Sequence, residues 1–210
     1  MTNRPSRFRG RVARSGDGPV SIGNIANIIT VARIIAAPVV LWLIVVVDAG
    51  DWGVWRFVAA GLFVAAISTD GVDGALARRR NLITTSGVLM DPIADKALTG
   101  AAFIALALVA ELPWWVVIVI LGREVLITVF RFAVLSKRVI PASRGGKAKT
   151  LSQAVALGMW LTPFWLFVGE WIITLNWALM AVAVVLTVAT GIDYLVRGLF
   201  GRGNIDAQEG

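Results

Sequence analysis

Asp70-Gly-Val-Asp73-Gly74-Ala-Leu-Ala77-Arg78 and, after residues 79–86, Gly87-Val-Leu-Met-Asp91-Pro-Ile-Ala-Asp95 decide how this chain is read. On a helix, residues three and four apart share a face. Asp70, Asp73, Gly74, Ala77 and Arg78 then form one stripe, and Gly87, Asp91 and Asp95 a second. The intervening residues suit a helical hairpin that turns the stripes toward each other, so four carboxylates converge. Carboxylates in a low-dielectric site raise one another's pKa and do not stay ionised without positive charge among them. Arg78 supplies one such charge, and one or two divalent cations would supply the rest. Gly74 and Ala77 leave room for a bulky ligand to approach the backbone, and a planar guanidinium matches a pair of phosphate oxygens. The pattern points to a two-metal site that grips a pyrophosphate and stabilises a transferring phosphoryl group.

The rest of the composition places that site in a membrane. Of the 210 residues, 58% are hydrophobic without counting glycine, against about 45–50% with glycine counted in soluble proteins. Charged residues are only 16%, and mean hydropathy is +0.79. The absence of cysteine and histidine excludes disulfides, thiolate nucleophiles, imidazole bases and Cys/His zinc sites. Any metal must be held by oxygen, which favours hard cations such as Mg²⁺, Mn²⁺ or Ca²⁺.

Apolar spans are predicted at about 25–47, 54–77, 87–110, 113–136, 150–169 and 171–195, each near the roughly 20 residues that cross a bilayer. Basic residues gather in alternate links: Arg4, Arg7, Arg9, Arg11 and Arg14 before the first span; Arg78, Arg79 and Arg80 after the second; Lys137, Arg138, Arg144, Lys147 and Lys149 after the fourth; Arg197 and Arg202 after the sixth. The other links carry Asp48, Asp51, Glu111 and Glu170, with Arg56 the exception nearby. Basic residues favour the cytoplasmic side, so the expected fold is an all-α membrane protein of six transmembrane helices with both termini cytoplasmic. Residues 1–22 read as a basic cytoplasmic segment, 23–197 as the membrane domain and 198–210 as a polar tail. The net charge of +7 is read as orientation and contact with anionic lipid, not as a nucleic-acid surface. Arg33, the four aspartates, Glu124 and Arg131 all fall in the inner halves of spans, which outlines a polar active-site chamber in the cytoplasmic half.

The pattern Asp70-x2-Asp73-Gly74-x2-Ala77-Arg78-x8-Gly87-x3-Asp91-x3-Asp95 resembles the signature of the CDP-alcohol phosphotransferase family. Eight fixed positions within 26 residues carry the likeness, which extends over roughly 23–195. The resemblance implies transfer of a phosphatidyl group from a CDP-lipid to an alcohol with release of CMP, dependent on Mg²⁺ or Mn²⁺ and using two ions. It implies Asp70, Asp73, Asp91 and Asp95 as metal ligands, Asp95 also as general base, and Gly74 and Arg78 as contacts of the cytidine diphosphate, with Asn27 and Thr84 as further contacts.

Asn27-x2-Thr30-x2-Arg33, Gly122-Arg123-Glu124 and Gly145-Gly146-Lys147-Ala148-Lys149-Thr150 resemble the bacterial branch of that family, which uses sn-glycerol 3-phosphate as acceptor and CDP-diacylglycerol as donor. Arg33, Arg123, Arg131, Lys147 and Lys149 are then candidates for the acceptor phosphate, with Glu124 a partner for one of the arginines. The resemblance further implies a homodimer in the bacterial inner membrane, multi-pass, its active site toward the cytoplasm. Two alternatives stay open: the same chemistry on inositol phosphate, serine or phosphatidylglycerol, and a divalent-cation transporter. Against transport, Arg78 would repel a passing cation.

Overall fold

The computed structural model describes residues 25–80, 85–135 and 144–200. Within them the chain is helical, with no strand. The elements are α1 (Ile25–Trp42), continued by a π-helical turn (Leu43–Asp48), then α2 (Val54–Arg80), α3 (Thr85–Leu108), α4 (Trp114–Leu135), α5 (Arg144–Leu161), the short α6 (Trp165–Val168) and α7 (Trp171–Phe200). The most extensive contacts are between α1 and α3 and between α5 and α7; α2 packs on α1, and α4 on α7.

The core is built mainly from alanine and medium-sized aliphatic side chains: Ala36, Ala37 and Val40 of α1, Ala59, Ala60 and Phe63 of α2, Leu98, Ala102 and Leu106 of α3, and Ala156 and Leu157 of α5. Small residues let helix backbones approach closely where lipid provides no hydrophobic drive for association. The outside is equally apolar. Val31, Ile35, Val39, Trp42 and Val46 are exposed along one face of α1 and its continuation, and Val182, Val185, Val188, Ile192 and Val196 along α7. Apolar stripes of this extent on the outside of a bundle mark contact with lipid rather than water. Thr30–Asp48 and Trp171–Val196 are long and apolar enough to cross a bilayer, and Val54–Thr69 and Lys96–Leu108 are shorter apolar helical stretches. The protein is a helical membrane protein.

The fifth expected span, 150–169, is not a single helix. Its helix begins earlier, at Arg144, and stops at Leu161. Pro163 explains the stop, because proline has no N–H and disfavours helical geometry in the residue before it. The carbonyl of Met159, four residues before Pro163, is left without its helical donor. Asn176 of α7, itself buried, donates to it from Nδ2 at 3.4 Å. The break thus becomes a tie between α5 and α7.

Arg56, the exception to the charge pattern, is fully buried at the end of the bundle that carries the 49–53 and 109–113 links. Its Nη2 pairs with Glu111, its Nη1 lies 3.7 Å from Asp48 Oδ2, and its Nε donates to the Leu161 carbonyl at 3.1 Å. The guanidinium stacks over Trp52, 4.3 Å from the ring centroid. Asp48 Oδ1 accepts from the Gly53 N–H, which fixes a link where Ala49 and Trp52 both have positive φ. Burial pushes the Glu111 carboxyl up to about 7, with Arg56 pulling the other way.

One side chain therefore joins two links, α2 and the end of α5. Removing it by Arg56→Met strands two carboxylates in a dry site, a loss of about 3–5 kcal/mol for a broken buried pair. An apparent Tm in detergent lower by about 10 °C is expected; an unchanged Tm would show that the cluster holds nothing together.

Candidate functional site

The two carboxylate stripes sit on regular helix. Asp70, Asp73, Gly74, Ala77 and Arg78 lie on the last turns of α2, and Gly87, Asp91 and Asp95 on the first turns of α3. The spacings i, i+3, i+4, i+7, i+8 and i, i+4, i+8 are therefore carried by backbone that gives them one face each. Pro92 lies within α3 without interrupting it. α2 and α3 also pack against each other. The side chains of these eight positions, and those of Asn27, Arg131 and Lys147, lie outside the described residues, as does Thr84 altogether. Among the described residues no three acidic side chains stand together as a metal site, and the four aspartates are not among the side chains that statement covers.

Arg33 is placed beside the turn of α2 that precedes Asp70. It is buried, and its Nε donates to the Ala66 carbonyl at 3.3 Å. The hydroxyl of Thr69 donates to the same carbonyl at 2.8 Å. In that position it adds positive charge near the start of the carboxylate stripe.

A second polar group joins α4, α5 and α7. Glu124 Oε1 accepts from Arg123 Nη1 at 3.2 Å and from the Lys149 ammonium. Arg123 Nη2 continues to the Thr190 hydroxyl of α7 at 3.1 Å. Gly191 lets the arginine lie flat on α7: a Cβ there would come within 3.0 Å of Arg123 Cγ and Nε. Gln153 of α5 reaches Thr187 of α7 at 2.8 Å. The sequence places Arg123 and Lys149 together as candidates for an acceptor phosphate. The structure joins them through Glu124 but turns them differently, Arg123 toward α7 and Lys149 toward a cavity.

That cavity lies between α3, α4 and α5 and has a volume of about 560 Å³. Lys96, Glu124, Thr128, Lys149 and Thr150 supply much of its polar lining, with Phe103, Ile120 and Leu121 among its apolar residues. Lys96 donates to the Thr128 hydroxyl, which in turn donates to the Glu124 carbonyl at 2.7 Å. Lys96 was not among the candidates from sequence. Its signal was there: it is the single lysine of the third span, directly after Asp95, and Gly100 and Phe103 follow on its face.

Lys149 is buried with Glu124 as its carboxylate. Glu124→Gln leaves that ammonium without a counter-charge and is expected to cost about 3 kcal/mol. The double substitution Glu124→Gln with Lys149→Met is expected to lie closer to the wild type than the sum of the two single changes, because the partners are lost together. Additive single effects in thermal unfolding would show that the two groups do not support each other.

Against known proteins, the family model for CDP-alcohol phosphatidyltransferase matches residues 23–189. The chain is similar to a protein named probable phosphatidylglycerophosphate synthase from Mycobacterium tuberculosis, 44% identical over 190 residues, covering 90% of this chain and 88% of the relative. It is also similar to CDP-diacylglycerol–glycerol-3-phosphate 3-phosphatidyltransferases of Bacillus subtilis, 37% identical with 83% and 94% of the two chains covered, and of Shigella flexneri, 38% identical with 82% and 93% covered. With eight signature positions on two helices and a match that spans most of the bundle, the chain belongs to the CDP-alcohol phosphatidyltransferase family.

Proposed function

We propose that the protein transfers the phosphatidyl group of CDP-diacylglycerol to sn-glycerol 3-phosphate, giving phosphatidylglycerophosphate and CMP in phospholipid biosynthesis. The observation that carries this reading is the eight-position signature, set in helical register on α2 and α3. The names of the relatives support the donor and the acceptor. The cavity beside α3, with two lysines in its lining, supports an anionic acceptor.

Asp70, Asp73, Asp91 and Asp95 present only carboxylate oxygen, which suits Mg²⁺ or Mn²⁺. Two such ions, when bound, neutralise the pyrophosphate and the charge that develops on the leaving group. Arg78 and Gly74 hold the cytidine diphosphate, with Asn27 and Thr84 as further contacts. In this reading Lys149 meets the acceptor phosphate from the cavity wall, and Arg33, Arg123, Arg131 and Lys147 add positive charge farther out. Asp95 takes the proton of the acceptor hydroxyl. The freed oxygen bonds to the phosphorus that carries the diacylglycerol, the bond from that phosphorus to the bridging oxygen breaks, and CMP leaves with the electron pair.

In this reading, residues 23–197 form the membrane domain, crossing the bacterial inner membrane six times. Residues 1–22 and 198–210 flank it in the cytoplasm, where the catalytic chamber opens, and the protein works as a homodimer. The test is CMP release from purified protein in detergent with CDP-diacylglycerol and Mg²⁺ or Mn²⁺. Release is expected with glycerol 3-phosphate and not with inositol phosphate. Asp95→Asn is expected to lower turnover by about a thousandfold or more. Release with inositol phosphate alone would move the protein to a sister activity, and near-normal turnover of Asp95→Asn would remove Asp95 as the base. Divalent-metal flux without CMP release would favour a transporter.

A further inference from the structure

We propose that Lys96 is a further acceptor-binding residue and that, with Lys149, it sets the preference for a phosphate-bearing acceptor over an uncharged one. The inference rests on the proposed reaction and adds a residue to it. Its basis is the cavity of about 560 Å³ between α3, α4 and α5, which both lysines line.

The two lysines are held from different helices. Lys96 comes from α3 and is hydrogen-bonded to Thr128 of α4, and Lys149 comes from α5 and is paired with Glu124 of α4. Among the described residues, the Glu124 carboxylate answers the Lys149 ammonium and none answers that of Lys96. Arg123 does not add to that lining, being engaged by Thr190 and seated against Gly191. The Thr128 hydroxyl is a neutral partner, so Lys96 is the cation in the cavity that no carboxylate among the described residues neutralises. An ammonium in that state gains from an anionic ligand, through charge-assisted hydrogen bonds that a neutral hydroxyl cannot replace.

Position along α3 gives the second argument. Lys96 follows Asp95 directly, and Thr99, Gly100 and Phe103 carry the cavity wall onward along the same helix. Thr99 stands four residues after Asp95, on the stripe that carries Asp91 and Asp95. The cavity is thus adjacent to the carboxylate face of α3. A small acceptor has its nucleophilic hydroxyl and its phosphate a few bonds apart. The hydroxyl belongs at Asp95, and the phosphate then belongs on the adjoining wall, where Lys96 stands.

The test compares wild type, Lys96→Met and Lys96→Arg, with glycerol 3-phosphate and glycerol as alternative acceptors. For Lys96→Met the KM for glycerol 3-phosphate is expected to rise about ten- to a hundredfold, the loss of one hydrogen bond to a charged group. The KM for CDP-diacylglycerol should stay within about twofold, Lys96→Arg should recover much of the loss, and discrimination against glycerol should shrink. A merely structural Lys96–Thr128 tie would instead lower kcat and Tm with the KM for glycerol 3-phosphate unchanged, and that result overturns the proposal.

Should Lys96→Met fail to fold, amine labelling of the wild-type chain decides. Glycerol 3-phosphate is expected to protect Lys96 from acylation in neutral detergent. No protection, or protection only when phosphatidylglycerol is added in place of glycerol 3-phosphate, overturns the assignment. Wild type that releases no CMP with glycerol 3-phosphate would instead overturn the reaction itself.

Discussion

A charge carried into an apolar bundle has to meet its counter-charge there, since even the lowest scales put a lone charged side chain at the bilayer centre at about 2.5–3.5 kcal/mol. This constraint organises two clusters in the molecule. At one end, Arg56 is enclosed by Asp48, Glu111, Trp52 and a backbone carbonyl. Within the bundle, Glu124 answers both Arg123 and Lys149. Arg56 ties α2 to two links and the end of α5, Glu124 ties α4 to α5, and Arg123 carries the second cluster on to α7, so charge compensation and tertiary packing become the same contacts.

The two clusters differ in what they leave over. Around Arg56 the charges are packed against Trp52 and the Leu161 carbonyl, and the group reads as a clasp on the links. Around Glu124 one carboxylate is shared by Arg123 and Lys149, and Lys96 and Lys149 line a cavity. The proposed metal site carries the same logic further: four aspartates on two facing stripes, with Arg78 as the positive group, would need cations from outside the chain to stay ionised.

Much of this was legible from the sequence because helical periodicity converts spacing into geometry. The stripes from Asp70 to Arg78 and from Gly87 to Asp95 fall on unbroken helix as expected, and the apolar segments lie close to the helices observed. The fifth span departs because hydropathy does not register what Pro163 does to the backbone, nor that Asn176, 17 residues after Met159, donates to the carbonyl left behind. Arg56 looked out of place because charge counts along the chain do not show that Asp48 and Glu111 close around it. Arg123 and Lys149 were recognisable as cations, but their directions depend on Gly191 and Glu124, which are contacts across helices. Lys96 was overlooked beside Asp95, since a lone lysine acquires meaning only from the cavity it borders.

The account stands or falls on the carboxylates of α2 and α3 acting together on divalent cations. Mn²⁺ titration of the purified protein, followed by electron paramagnetic resonance in the presence of CDP-diacylglycerol, measures this directly. The account predicts two Mn²⁺ per chain, close enough to couple, with the coupled signal lost in Asp91→Asn. Wild-type protein that binds the CDP-lipid but no Mn²⁺, or an unchanged signal in Asp91→Asn, would contradict it.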